Sequence, residues 1–370
     1  MEKPIFEPSE KFVPEKINKT KKFLLLLGML IVINSFVFGV FYFSVYKNKQ
    51  STPENRSLGK KSSVEISQTP FPFQEMTIPY LRARSYESSL GKLSQATETA
   101  TYIGYLTSYD SDGLEVNGYL TIPKADIPEN GWPAIIFVHG YIPPKNYRTL
   151  ENYSTYVDYL AKNGFVVFKI DLRGHGTSEG EPGGGYYSSD YIIDVLNARA
   201  ALKNSDFVNS EKIGLWGHSM AGNVVSRALA ASPEISATVI FAGAVYTYED
   251  FSQFRIQDSS YQPPNEDSQT RRKRNELFEK YGQFDPNSSF WKQVPMTNYL
   301  GDIKGAIQIN HALDDNVVDT RYSRNFNSIL DNTDIPHELN EYASGGHNFT
   351  GASFNQSMQN TVSFFQKYLK

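Results

Sequence analysis

The chain has no cysteine among its 370 residues. Disulfides therefore play no part in its stability, and attachment to a membrane through a lipidated cysteine is excluded. Histidine is sparse, with six in all. No H-E-x-x-H or comparable ligand spacing links them, so neither a metal nor any other cofactor is expected. The charge balance lacks a basic excess: at a formal net charge of −4, nucleic acid is not expected as a partner. The one basic cluster, Arg271-Arg272-Lys273-Arg274, reads as the solvated face of a helix. No internal repeat is present.

One long stretch lacks charge altogether. Phe23 to Tyr46 is an apolar run without a charged residue, and at about 1.5 Å per residue a helix of that length crosses a hydrocarbon core of about 30 Å. Lys16, Lys19, Lys21 and Lys22 crowd its front, with Lys47 and Lys49 behind. The polybasic front predicts a cytoplasmic amino terminus, with the rest of the chain outside the cell membrane. A long polar leader and the want of a clean small-x-small cleavage site favour an anchor over a cleaved signal peptide. The expected organisation is a basic leader (1–22), a single transmembrane helix (23–46), a flexible linker (47–70) and one domain (71–370). About 300 residues suffice for a large α/β domain with its own core. Within that domain Pro79-Tyr80-Leu81-Arg82-Ala83-Arg84 is expected to begin an extension packed against the sheet.

Short apolar runs of strand length then alternate with helical periodicity. Trp132 to Gly140, Phe165 to Ile170, Lys212 to Trp216, Thr238 to Ala242 and Gly305 to His311 read as buried strands, and Ile335 to Tyr342 as the last. Tyr191 to Leu202 and Asn223 to Ala231 read as helices, the second stopped by Ser232-Pro233. Such alternation predicts a mostly parallel, twisted sheet with helices on both faces, and reactive residues on loops at the carboxyl ends of the strands.

At one such strand-to-helix junction stands Gly217-His218-Ser219-Met220-Ala221-Gly222. A serine on so tight a turn is a nucleophile elbow, whose neighbours two before and two after must be small. Ala221 departs from the usual G-x-S-x-G by one methyl. A serine hydroxyl needs a histidine base, itself oriented by a carboxylate. Asp314 and Asp315 lie in the loop after the strand ending at His311, and either carboxylate is a candidate. Beyond them only His337, inside the last strand, and His347, in the glycine turn Ser344-Gly345-Gly346-His347, remain, and the turn lets His347 reach over the sheet edge. The strand ending in His139-Gly140-Tyr141 would aim the Tyr141 amide at a developing oxyanion, with the Met220 amide as second donor. Tyr141 would also line the acyl pocket. His218 is read as packing or hydrogen-bonding locally.

These motifs resemble the α/β-hydrolase superfamily, and within it the prolyl-oligopeptidase-type (S9) and dienelactone-hydrolase-like serine hydrolases. The likeness covers about residues 100 to 370. It includes Ser111-Asp112-Gly113 leading into Gly118 to Pro123, and Asp171-Leu172-Arg173-Gly174-His175-Gly176-Thr177-Ser178. The resemblance implies an α/β-hydrolase fold and a chain order of serine, acid, histidine. Aligning His311 with the first residue of the family's H-G-x-x-D-x-x-V-P pattern makes the acid Asp315, with Val318 at the valine position. It also implies a small helical cap, at about residues 246–300, over the site. The expected activity is a Ser219-His347-Asp315 triad cleaving a small ester or a short peptide through an acyl-enzyme, peptidase-like first and carboxylesterase- or lipase-like as the alternative. A catalytically silent binding module is the rival from another class. The β-propeller of large prolyl-oligopeptidase enzymes has no room in this chain.

Overall fold

The computed structural model describes residues 70–369. The leader, the transmembrane helix and nearly all of the linker expected from the sequence lie outside the described residues. Among the described residues no helix is long and apolar enough to cross a membrane.

Nine strands form one sheet: β1 (Ser94–Glu98), β2 (Tyr102–Ser111), β3 (Leu114–Pro123), β4 (Trp132–Val138), β5 (Val166–Ile170), β6 (Val208–His218), β7 (Ala237–Phe241), β8 (Ala306–Ala312) and β9 (His337–Tyr342). Their spatial order is β1-β2-β3-β5-β4-β6-β7-β8-β9. β1, β2 and β3 pair antiparallel, β3 pairs antiparallel with β5, and every pairing from β5 to β9 is parallel. The β2–β3 turn is Asp112-Gly113 with φ of 56° and 81°. Two positive φ values suit a two-residue hairpin that matches strand twist. A Cβ on Gly113 would meet nothing within 4 Å, so its backbone angle, not crowding, selects glycine.

The helices are α1 (Ile78–Ala83), α2 (Ser154–Lys162), α3 (Asp190–Lys203), α4 (Met220–Ala231), α5 (Asp250–Gln253), α6 (Gln269–Tyr281), α7 (Arg321–Leu330) and α8 (Gly351–Tyr368). One core joins α1, α3, α4 and α7 to one face of the sheet, and a second joins α2 and α8 to the other. Covered on both sides, the central strands read as continuous apolar runs. Ala134, Ile136 and Val138 face the first core, while Ile135 and Phe137 face the second, the period-two alternation of a strand. Lys169 breaks the pattern. It is buried, with Nζ 2.9 Å from the Tyr147 hydroxyl and 3.7 Å from Asp171. Burial pushes its pKa down to about 8 against the opposing pull of Asp171.

The amino-terminal extension joins the sheet through Leu90, which bridges Tyr109, and through β1, while α1 at its start packs on helix α4. Ile78 and Leu81 are fully buried, and Arg82 Nε donates to the Ala230 carbonyl at 2.7 Å. Arg227, buried on α4, donates to Met76 O at 2.5 Å, Ser189 Oγ at 2.9 Å and Ser188 O at 3.1 Å. No carboxylate accompanies it among these partners. Burial lowers its pKa while the Tyr248 hydroxyl supports the charge. The D-x-R-G-x-G-x-S turn is likewise structural: Arg173 forms a buried pair with Asp194 at 2.6 Å, and Ser178 Oγ accepts from the Asn117 amide at 2.9 Å.

Candidate active site

Parallel strands in register bring their carboxyl ends to one edge, and the site is built there. Val138 pairs with Gly217, and Gly217 with Ile240, so the turns after β4 and β6 and the loop after β7 emerge side by side. Ser219 sits between β6 and α4 at φ 57°, ψ −120°, a backbone conformation costing about 1–3 kcal/mol for a non-glycine residue. Its amide donates to Phe241 O and its carbonyl accepts from the Gly222 amide, both at 2.8 Å. A Cβ on Gly217 would come within 2.7 Å of Ala221 O, and one on Gly222 within 2.6 Å of Gly243 Cα. The steric demand thus falls on positions 217 and 222, which explains why the buried Ala221 is tolerated. Among the described residues, Ser219 Oγ and the amides of Tyr141 and Met220 have no hydrogen-bond partner, and all three residues line one cavity.

The two aspartates after β8 have different partners. Asp315 Oδ2 lies 2.8 Å from His347 Nδ1 and 3.2 Å from His311 Nε2, while its Oδ1 accepts the Val317 and Val318 amides at 2.8 and 3.0 Å. Burial opposes ionisation of this carboxyl, but the bonds from His311 and His347, the charge of His347 and the Val318 amide together hold it well below the usual carboxylate range. Asp314 instead accepts the Gly346 and Gly345 amides at 2.8 and 3.2 Å. Asp315 addresses the imidazole; Asp314 addresses the turn that carries it. His337 is elsewhere, with Nε2 3.0 Å from Asp331 at the start of β9.

Three contributors escaped the sequence reading. His311, fully buried, bonds the Val318 carbonyl through Nε2 at 3.2 Å and Ser323 Oγ through Nδ1 at 2.7 Å, with Nε2 also 3.2 Å from Asp315 Oδ2, and so backs the acid loop. His218 bonds the His347 carbonyl through Nε2 at 2.8 Å and the Tyr153 hydroxyl through Nδ1 at 2.6 Å. Tyr153, on no recognisable motif, accepts the Gly140 amide at 3.0 Å. The local bonding expected of His218 is present, but its partners lie on two other loops. His139 and His175 lie buried behind the oxyanion turn with ring centroids 4.8 Å apart, and desolvation, followed by the His175 charge, holds His139 well below the usual range. Among the described residues no group of three or more histidines and carboxylates is disposed to hold a metal ion.

Two cavities meet at the serine, of about 1020 and 730 Å³, sharing Tyr141, Ser219, Asp258 and Val317. Met220 and residues of the β7–β8 segment, among them Phe251, Tyr261 and Pro263, line the larger; His347 lines the smaller. That segment contains α5, α6 and a long irregular stretch between them. The stretch pairs with the acid loop through an Ile256–Val318 bridge, and the Gln262 amide donates to the Tyr141 hydroxyl at 2.8 Å. Burial raises the Tyr141 pKa, which suits a hydroxyl held in a hydrogen bond. The basic run is not buried, Arg272 and Lys273 being exposed, and Arg271, Lys273 and Arg274 of α6 also edge the larger cavity.

With this geometry in view, known proteins give a consistent class. The model of the family described as serine aminopeptidase, S33, matches residues 133–262. The thiohydrolase aneE of Aspergillus aculeatus is 32% identical over 132 residues, 35% of this chain and 38% of that protein. The polyketide transferase grgF of a Penicillium species is 29% identical over 131 residues, 35% and 42% of the two chains. The matched part thus spans about two fifths of the curated relatives' length. Among solved structures, acetyl xylan esterase 1 from a Thermoanaerobacterium species superposes with a TM-score of 0.52 at 19% identity, over 80% of this chain and 95% of that one. Pyrococcus horikoshii acylaminoacyl peptidase gives 0.54 at 19% identity, over 73% and 42%. The fold is the α/β-hydrolase fold, and the proteins it resembles include esterases, peptidases, a thiohydrolase and a polyketide transferase.

Proposed function

We propose that the chain cleaves an ester or a short peptide bond through an acyl-enzyme on Ser219. The observation that carries this reading is the His347–Asp315 pair lining one cavity with a strained serine whose hydroxyl has no hydrogen-bond partner among the described residues. With Nδ1–H donating to Asp315, His347 keeps a lone pair on Nε2. That nitrogen takes the Ser219 proton as Oγ attacks the substrate carbonyl, and the ionised Asp315 stabilises the imidazolium. The amides of Tyr141 and Met220 receive the oxyanion, a contribution of several kcal/mol in a water-poor site. Collapse expels the alcohol or amine, which leaves with the proton from His347; water then repeats the sequence to release the acid.

The tetrahedral carbon has four directions. Oγ, the oxyanion donors and the His347 side take three, so the acyl group points into the larger, aromatic-walled cavity and the leaving group into the smaller. Esters and short peptides both fit this division. The charge-free run at 23–46 supports a membrane anchor with the hydrolase outside the cytoplasm, which membrane fractionation under alkaline carbonate wash would test: release of the full chain into the supernatant would sink the anchor. For the chemistry, the test is labelling of the full chain by a fluorophosphonate. Labelling should occur in the wild type and vanish in Ser219→Ala and His347→Ala; a folded wild type that does not label would overturn the acyl-enzyme.

A further inference from the structure

We infer that His218 and Tyr153 are positioning residues: a hydrogen-bonded clamp that ties the oxyanion turn after β4 to the turn bearing His347, across the elbow itself. The inference rests on the acyl-enzyme reading above. Three loops distant in sequence meet in one chain of bonds. The Gly140 amide donates to Tyr153 Oη (3.0 Å), the Tyr153 hydroxyl donates to His218 Nδ1 (2.6 Å), and His218 Nε2–H donates to the His347 carbonyl (2.8 Å).

Each role in that chain is forced. The His347 carbonyl can only accept, so Nε2 of His218 must carry the proton. Nδ1 must then accept in the neutral ring, and the only donor facing it is the Tyr153 hydroxyl. The tyrosine oxygen in turn receives the Gly140 N–H, which keeps that amide out of the oxyanion site and leaves the next one, at Tyr141, to point inward. Burial, followed by the charge of His347, pushes the His218 pKa down to about 3, so the neutral tautomer that the clamp requires persists through the physiological range.

Two features independent of these bonds agree. Tyr153 sits at φ 61°, ψ 15°, a left-handed conformation that an aromatic residue seldom adopts and that presents its hydroxyl to the elbow. Gly140 has no room for a side chain: a Cβ there would lie 2.9 Å from Tyr153 Oη and 3.1 Å from His218 Nδ1. Asp315 fixes the His347 ring, and the clamp fixes its backbone. A base held at both points reaches Ser219 in one register.

The experiment compares the full chain as wild type, Tyr153→Phe, His218→Gln and His218→Leu, using a p-nitrophenyl ester for turnover and a fluorophosphonate for the serine. Tyr153→Phe should lower kcat and the labelling rate by about 10- to 100-fold, the order of loss from misplacing a catalytic group by an ångström, with KM nearly unchanged. His218→Gln, whose amide N–H reaches to where Nε2–H stood, should retain about tenfold more activity than His218→Leu. A mere packing role predicts the reverse, since leucine fills an apolar space better than glutamine. Tyr153→Phe turning over at the wild-type rate, or glutamine no better than leucine, would overturn the clamp while leaving the acyl-enzyme intact. A folded wild type that does not label would overturn both. If Tyr153→Phe fails to fold, the glutamine–leucine pair still decides.

Discussion

The two sides of Ser219 are built differently. On the histidine side, side chains bind backbone and one another in a closed set: Asp315 with two histidines and two amides, Asp314 with two glycine amides, His218 with the His347 carbonyl. On the cap side, contact with the rest of the domain runs through one short backbone bridge, the Tyr141–Gln262 bond, single bonds to carbonyls such as Tyr248 Oη to Tyr186 O at 2.5 Å and Thr270 Oγ1 to Pro182 O at 2.8 Å, and tilted rings such as Tyr186–Phe251 at 5.3 Å. The first arrangement fixes atoms to tenths of an ångström, and the second tolerates exchange of side chains. On the acyl-enzyme proposal, the chemistry falls on the side where geometry must be exact to work, and substrate preference on the side that can vary without disturbing it.

The contrast breaks most severely at the serine: Ser219→Ala should reduce kcat by about 10⁶, to the residue of binding and oxyanion stabilisation, measured on a chromogenic ester. Next, the neighbouring aspartates should separate. Asp315→Asn, which offers His347 an amide and the wrong tautomer, should cost on the order of 10⁴ in kcat. Asp314→Asn, which loses only its charge-assisted grip on the turn, should cost about tenfold or less. Equal effects in the two variants would refute the division of labour between ring and turn. On the cap side, Phe251→Ala should cut kcat/KM by about tenfold for a bulky aromatic acyl ester, since shape in a hydrophobic pocket is worth about 1–3 kcal/mol. It should leave an acetyl ester nearly unaffected; a uniform loss would deny the larger cavity its acyl role.

The smallest effect is on stability. The folded pKa of His218 lies below that of a free imidazole, so the unfolded chain binds the extra proton first. Stability from this group is full above about pH 6.5 and declines as pH falls toward about 3. Asp315, also depressed, adds to the loss only once pH approaches the ordinary carboxylate range. Thermal melts of wild type should fall between pH 6.5 and 4, and those of His218→Gln should fall less steeply.

Much of this was legible in sequence because it is local. Buried parallel strands announce themselves as apolar runs, and the elbow by its small residues, so β4 to β9, α3 and α4 lie within a few residues of expectation. The fold itself follows from that alternation. What stayed hidden depends on partners far along the chain. Tyr153 lies 65 residues from His218, and nothing in its own segment marks it. His311 looked like a strand end because the side chain it supports comes from the following loop. The start of the amino-terminal extension found helix α4 because a buried arginine on that helix, not a pattern in the extension, receives it. The long irregular stretch between α5 and α6 lacks periodicity of either kind, so only its position between strands could be anticipated. The basic run keeps its solvated face, and only its position at the rim of the larger cavity needed the fold to be seen.

That buried arginine has a mechanical consequence. Arg227 and the pair Ile78 and Leu81 staple the first described segment to the helix that begins at Ser219. A pull on the chain ahead of residue 72 would meet the Tyr281 contacts on α6 and then the Arg227 staple on α4 before it reached any strand. The first described segment is thus moored within three turns of Ser219, and tension applied there would reach α6 and α4 before the sheet.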